Sequence, residues 1–271
     1  MPRITLPQGK LQRALLAAGL LVAVLAVVVG FLYVDGAFQQ DPEALLRQQG
    51  GYRITLQAHC PARLPGCDVG ALLPTLSDTL TSRVHDALNI SGAQVRQQGD
   101  SQMIVYLPGL TDSTNAVKLL TAPGLIQFID TGGQYLAPGT SVVGETCAAG
   151  AKCNPGQYPI VFDNSEIDPT SVAAQPDPHS GQPFVTFAFV GTARDRFAQY
   201  TQSRIGEYLT ITLDSTIACS LVIQSEIAGS GEINGLGTMA DTQRFAAYLK
   251  DGALPLTVTV AAVTHVAPSG K

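Results

Sequence analysis

Tryptophan is absent from the 271 residues, only 14% are charged, and histidine and methionine number four and three. Nucleic-acid binding draws on clustered Lys and Arg with aromatic rings between them. Here aromatics make up 6% and the formal charge is −5. Arg3, Lys10 and Arg13 precede every acidic residue, so the rest of the chain carries 13 basic against 21 acidic side chains. A body of that sign repels phosphate backbones, and no nucleic-acid partner is expected. Catalytic motifs are missing too: there is no Gly-x-Ser-x-Gly elbow, no His-Glu-x-x-His and no Ser-x-x-Lys context. His59, His85, His179 and His265 are scattered and read as solvated side chains. "GSGEINGLG" (229–237) has the wrong glycine spacing for a phosphate loop and reads as a bend between strand and helix. "DNSEID" (163–168) lacks the order of a calcium loop and reads as a short helix or turn start capped by Asn164 or Ser165. No catalytic, cofactor-binding or metal-binding residue is expected, and the chain reads as a non-enzyme.

What is present begins with 21 uncharged residues, Ala14–Val34. At helical rise they span roughly 30 Å, the thickness of a bilayer hydrocarbon core. The three preceding cations place residues 1–13 in the cytoplasm and the rest outside, a single pass through the cytoplasmic membrane. A cleaved signal peptide is the rival reading, but its apolar core is shorter and Val34-Asp35-Gly36 is a poor cleavage site.

Five cysteines follow. Cys60 and Cys67 in "CPARLPGC", and Cys147 and Cys153 in "CAAGAKC", are closely spaced in Gly/Pro/Ala-rich loops. In an oxidising compartment both pairs are disulfide candidates. Cys219, in the apolar run "TIACSLVI", reads as a buried, inert thiol.

The hydrophobic share of 45% predicts a folded body, and its pattern predicts α+β layers. "YRITLQA" (52–58) alternates with period two and reads as a strand. Leu73, Leu76, Leu80, Val84 and Leu88 share one helix face, with Pro74 tolerable only near its start. "AQVRQQ" and "MIVYLPG" form a hairpin, a helix over 113–121 is capped by Asp112 or Ser113, and 124–130 is a strand. Residues 131–183 are loop-rich apart from "YPIVF". Strands at 183–190, "YLTITLDS" and "IACSLVIQSEI" follow. Thr192/Asp195 and Thr238/Asp241 predict two capped helices, stopping at Gly206 and Gly252. The last strand is expected at 255–263.

Taken together, "GGYRITLQA", "QVRQQGDSQMIVYLPGLTD", "GQPFVTFAFVGTARDRFAQYTQSRIGEYLTITLDSTI", "GSGEING" and "KDGALPLTV" resemble the first large extracytoplasmic domain of SecD, the accessory subunit of the bacterial Sec translocase. The resemblance implies a ferredoxin-like membrane-proximal base at 39–130 and 229–267, with an inserted α+β head at 131–228. It implies unfolded preprotein as a partner, a Sec channel and a SecF-like subunit as neighbours, and no cofactor. Departures occur at Cys219 and Leu221, which replace part of a Ser-Ala-Pro, and at Gly237, where an aromatic is common. The family continues into further membrane helices where this sequence reads "VAPSGK". The expectation is therefore a SecD-like accessory protein that binds polypeptide outside the membrane without proton-conducting helices of its own. The alternatives are a membrane-tethered binding or assembly module diverged from SecD and, last, an extracytoplasmic enzyme.

Overall fold

The computed structural model describes residues 41–62, 64–145 and 156–269. The expected cytoplasmic segment 1–13 and the expected membrane helix 14–34 lie outside them. Cys147 and Cys153 also lie outside the described residues, so the second expected disulfide is not among the bonds described. Among the described residues, no helix is long and apolar enough to cross a membrane.

The chain forms two bodies. The first opens with helix α1 (Pro42–Gln49), capped by Asp41, and strand β1 (Gly51–His59). Helix α2 (Val69–Arg83), a π-helical turn Val84–Leu88, the hairpin β2 (Gln94–Gln98) and β3 (Gln102–Pro108), and helix α3 (Thr114–Thr121) follow. The body is closed by β12 (Thr257–Val266) from the far end of the chain. Its sheet has the order β12-β1-β3-β2 with every neighbour antiparallel. The period-two pattern of β1 turns Ile54, Leu56 and Ala58 onto Leu73, Leu76 and Leu80 of α2, with Met103, Val105, Leu254, Leu256 and Val258 completing the core. Each fully buried leucine there contributes about 2 kcal/mol. Asp68 caps α2 through the amides of Gly70 and Ala71, and Pro74, in the second turn, removes one hydrogen bond from the helix interior.

The last strand reaches Val266, three residues past the expected end. Leu56 pairs with Val260 and Thr55 with Ala262, so Ala261 is an extra residue in a β-bulge that resets the alternation.

The second body runs from β4 (Ile126–Asp130) through β5 (Val143–Glu145), β6 (Gln157–Asp163), β7 (Ala173–Pro176), β8 (Pro183–Ala188), helix α4 (Gly191–Gln202), β9 (Tyr208–Leu213), β10 (Thr216–Val222) and β11 (Ser230–Asn234) to helix α5 (Met239–Asp251). Two sheets form, β10-β9-β4-β6-β5 and β11-β8-β7. They close on Phe128, Phe162, Phe187, Phe189 and Phe197, whose rings meet at centroid distances from 4.6 Å (Phe189–Phe197) to 6.5 Å (Phe128–Phe162). β4, β11 and α5 all take part in this packing. β4 pairs with β6 and β9, β11 pairs with β8, and α5 sends Phe245, Tyr248 and Leu249 into the same core.

Local signals fare unevenly. Thr238 and Asp241 form the expected capping box, and Gly252 ends α5 at φ +77°. Thr192 is no cap: α4 begins at Gly191 after Val190, where the main chain turns at φ +53°, and it ends at Gln202, four residues before Gly206. In "DNSEID" the cap is Asp163, accepting from the amide of Ser165, while Asn164 is buried. Asp112, rather than Ser113, accepts from the amide of Thr114.

Candidate functional site

In the second body, β10 is the edge strand of the five-stranded sheet and β11 the edge strand of the three-stranded one. A cleft of about 370 Å³ lies between them. Its floor is Phe187, Phe197, Leu209, Ile211, Ile223 and Ile233, all buried. Five consecutive residues, 220–224, border it on one side and four, 231–234, on the other. Successive side chains of a strand point to opposite faces, so the unbroken runs 220–222 of β10 and 231–234 of β11 bring the strands' main-chain edges to the cleft. Gly231 keeps the floor low: a Cβ there would stand 3.2 Å from two atoms of the Phe187 ring. The rim carries Val222, 49% exposed, with Gln224, Glu232 and Asn234. The piece "GSGEING" is therefore an edge strand bounded by Gly229 (φ +87°) and Gly235 (φ +78°), rather than a bend.

A second constellation joins the bodies. The chain crosses between them at 122–125 and 252–256, and the amide of Leu254 donates to the carbonyl of Pro123 at 2.7 Å. Arg83, at the end of α2, is fully buried beneath both crossings. Its Nη1 donates to the carbonyls of Ala122 (2.7 Å) and Leu119 (3.3 Å), and its Nη2 to those of Pro123 and Gly252 (2.9 Å each). The guanidinium lies 4.7 Å from the centre of the Tyr248 ring. Burial lowers its pKa to about 10, opposed by Tyr248 and Asp251, so it stays charged at neutral pH. From the other body, Asn164 Nδ2 donates to the carbonyls of Gly124 (3.1 Å) and Tyr248 (3.2 Å). Gly124, at φ +75°, is required by both backbone and space, since a Cβ would stand 2.2 Å from Arg83 Nη2. Around this knot, Ser82 Oγ donates to Asp251 Oδ1 at 2.6 Å and Lys250 pairs with Asp86. Burial raises the Asp251 carboxyl, with Ser82 opposing.

The cysteines separate by environment. Of the four disulfide candidates, Cys60 and Cys67 are joined, Cα–Cα 5.9 Å, and rest against the first core. The other two, Cys147 and Cys153, fall outside the described residues. Cys219 is buried in the same core as Phe187, and burial pushes its thiol up to about 12. His59 meets Thr259 at 3.3 Å, His85 meets Asp86 at 3.1 Å, and the His265 ring lies tilted against Tyr52 with centroids 5.0 Å apart. No group of three potential metal ligands occurs among the described residues. Neither the cleft residues nor Arg83 and Asn164 stand out as site residues in the sequence. One signal is present for Arg83, which falls three residues after Leu80 on the buried face of α2.

Fold and cleft together define an α+β protein of two bodies with a long slot between strand edges. The family model "SecDF, P1 head subdomain" matches residues 159–256, and "Protein translocase subunit SecDF, P1 domain, N-terminal" matches 75–133. The chain belongs to the SecD family through this P1 region. It is 25% identical over 253 residues to the protein translocase subunit SecD of Acidaminococcus fermentans, covering 93% of this chain and 53% of that subunit. The chain spans about half or less of the length of the curated relatives it matches. It has the fold of SecDF in its super-membrane-facing form (TM-score 0.59, 22% identity, 93% of this chain and 35% of that one). It also shares the fold of a structure described as a membrane component SecDF that enhances protein export (TM-score 0.55, 23% identity, 78% and 98%).

Proposed function

We propose that this chain works in preprotein translocation, holding unfolded polypeptide on the outer side of the cytoplasmic membrane, to which residues 14–34 tether it. The observation that carries this reading is the cleft: a peptide-sized slot with an aromatic and aliphatic floor, bordered by two strand edges able to pair with an extended chain. Folded proteins have already paired their strands, so such a slot selects polypeptide that has not yet folded. In this reading the first body, at 41–121 and 254–269, is a ferredoxin-like base; its β-α-β-β-α-β order and β12-β1-β3-β2 arrangement support that assignment. The second body, 126–251, is the head. Association with a Sec channel and a SecF-like subunit is proposed from the relatives' role as translocase subunits. Catalysis has no part in it.

A photoreactive residue at Val222 or Gln224 tests the proposal in membranes carrying a stalled secretory substrate. The expected result is an adduct with that substrate. No adduct with substrate or channel removes the proposal.

A further inference from the structure

The rim of the cleft is charged on one sign only. Glu232 borders it, on the exposed side of β11 opposite Thr186, and Glu226 lies in the loop between rim residues Gln224 and Ile227. Among the described residues neither carboxylate has an ion-pair or side-chain hydrogen-bond partner, whereas Glu43, Glu166 and Glu207 are each paired with arginine. No lysine or arginine lines the cleft; Arg194 lays its stem on Gly229 at the foot of β11 without reaching it.

We infer that the cleft prefers extended polypeptide in which apolar residues alternate with lysine or arginine. A strand added beside β11 turns every second side chain toward the floor of Phe187, Phe197 and Ile233. The residues between them turn outward and stand across from Glu232, where an opposite charge is favoured and a like charge repelled. The inference rests on the polypeptide-holding reading and adds the class of segment that the site takes.

The test uses the full chain in detergent and three labelled ten-residue peptides, alternating leucine with lysine, serine or glutamate, with binding read by fluorescence anisotropy. The lysine peptide is expected to bind about tenfold more tightly than the glutamate peptide, with the serine peptide between them. Glu232→Gln should weaken the lysine peptide about threefold and leave the serine peptide unchanged, the size of one cross-strand charge pair. Asp78→Asn, an exposed charge removed from the first body, controls for the general negative field and should change nothing. Equal binding of all three peptides, or equal effects of Glu232→Gln and Asp78→Asn, overturns the inference and leaves the holding function standing. No binding by any peptide overturns both.

Discussion

The guanidinium of Arg83 donates to the carbonyl oxygen of Gly252 across 169 residues of chain, at 2.9 Å. The same Nη2 reaches Pro123, so one side chain fastens both crossings between the bodies. Arg83→Met should cost about 3 kcal/mol, because it leaves buried carbonyls without donors. Urea unfolding measures that loss, and hydrogen exchange should show faster opening at 122–125 and 252–254 than in either core. Arg83→Lys keeps the charge without the planar fork and should recover only part of the stability.

The capping box of α5 makes a separable prediction. Thr238→Ala should cost about 1 kcal/mol at neutral pH. Hydrogen bonds from the Thr238 hydroxyl and amide, aided by Arg244, hold the Asp241 carboxyl below its ordinary range. A depressed carboxyl contributes stability above its unfolded pKa and loses it as pH falls through the folded value. The difference between wild type and Thr238→Ala should therefore shrink on acidification below about pH 4. Thermal melts at stepped pH measure it.

Replacing Cys60 and Cys67 together by serine should lower stability by about 2 kcal/mol, since the bond closes a short loop in the unfolded chain. We propose the same kind of short-loop bond between Cys147 and Cys153, on their spacing alone. Peptide mapping without reductant should then recover those two linked and leave Cys219 as the one free thiol of the five. Recovery of Cys147 and Cys153 as separate thiols would remove the second bond. Cys219 should resist an aqueous thiol reagent in the native protein and react once urea exposes it. Rapid native labelling of Cys219 would contradict its burial.

Gly231→Val should fill the cleft. The added carbons would press on the Phe187 ring, costing about 1–2 kcal/mol, while the strand backbone accepts a branched residue readily. Peptide binding should fall at least tenfold with the two-body fold retained. Unchanged binding would place the peptide elsewhere.

Several elements are plain in the sequence because their cause is local. The alternation in 52–58, the leucine stripe of α2 and the Thr238/Asp241 box each need only neighbours within a turn or a strand. Thr192 misleads because its spacing to Asp195 matches a cap, while the turn that starts α4 is made one residue earlier by Gly191. Asn164 reads as a helix cap, and its actual partners, Gly124 and Tyr248, lie 40 and 84 residues away. The cleft is hidden for the same reason: β10 and β11 are ordinary short strands in sequence, and they form a slot only because each ends a different sheet. The pairing of β4 with β6 and β9 is hidden as well, because it joins strands about 30 and 80 residues apart that no local pattern links.

The pairing of β1 with β12 has a mechanical meaning. Gly51 faces Val266 at one end of the sheet and His59 faces Thr257 at the other, next to the crossing that leads to the second body. Tension between the second body, which enters β12 at Thr257, and the chain before Gly51 of β1 acts at opposite ends of two antiparallel neighbours. Their shared hydrogen bonds are then loaded together in shear rather than peeled apart one by one. The first body acts as a strut, and under load the crossings held by Arg83 should yield before the sheet does.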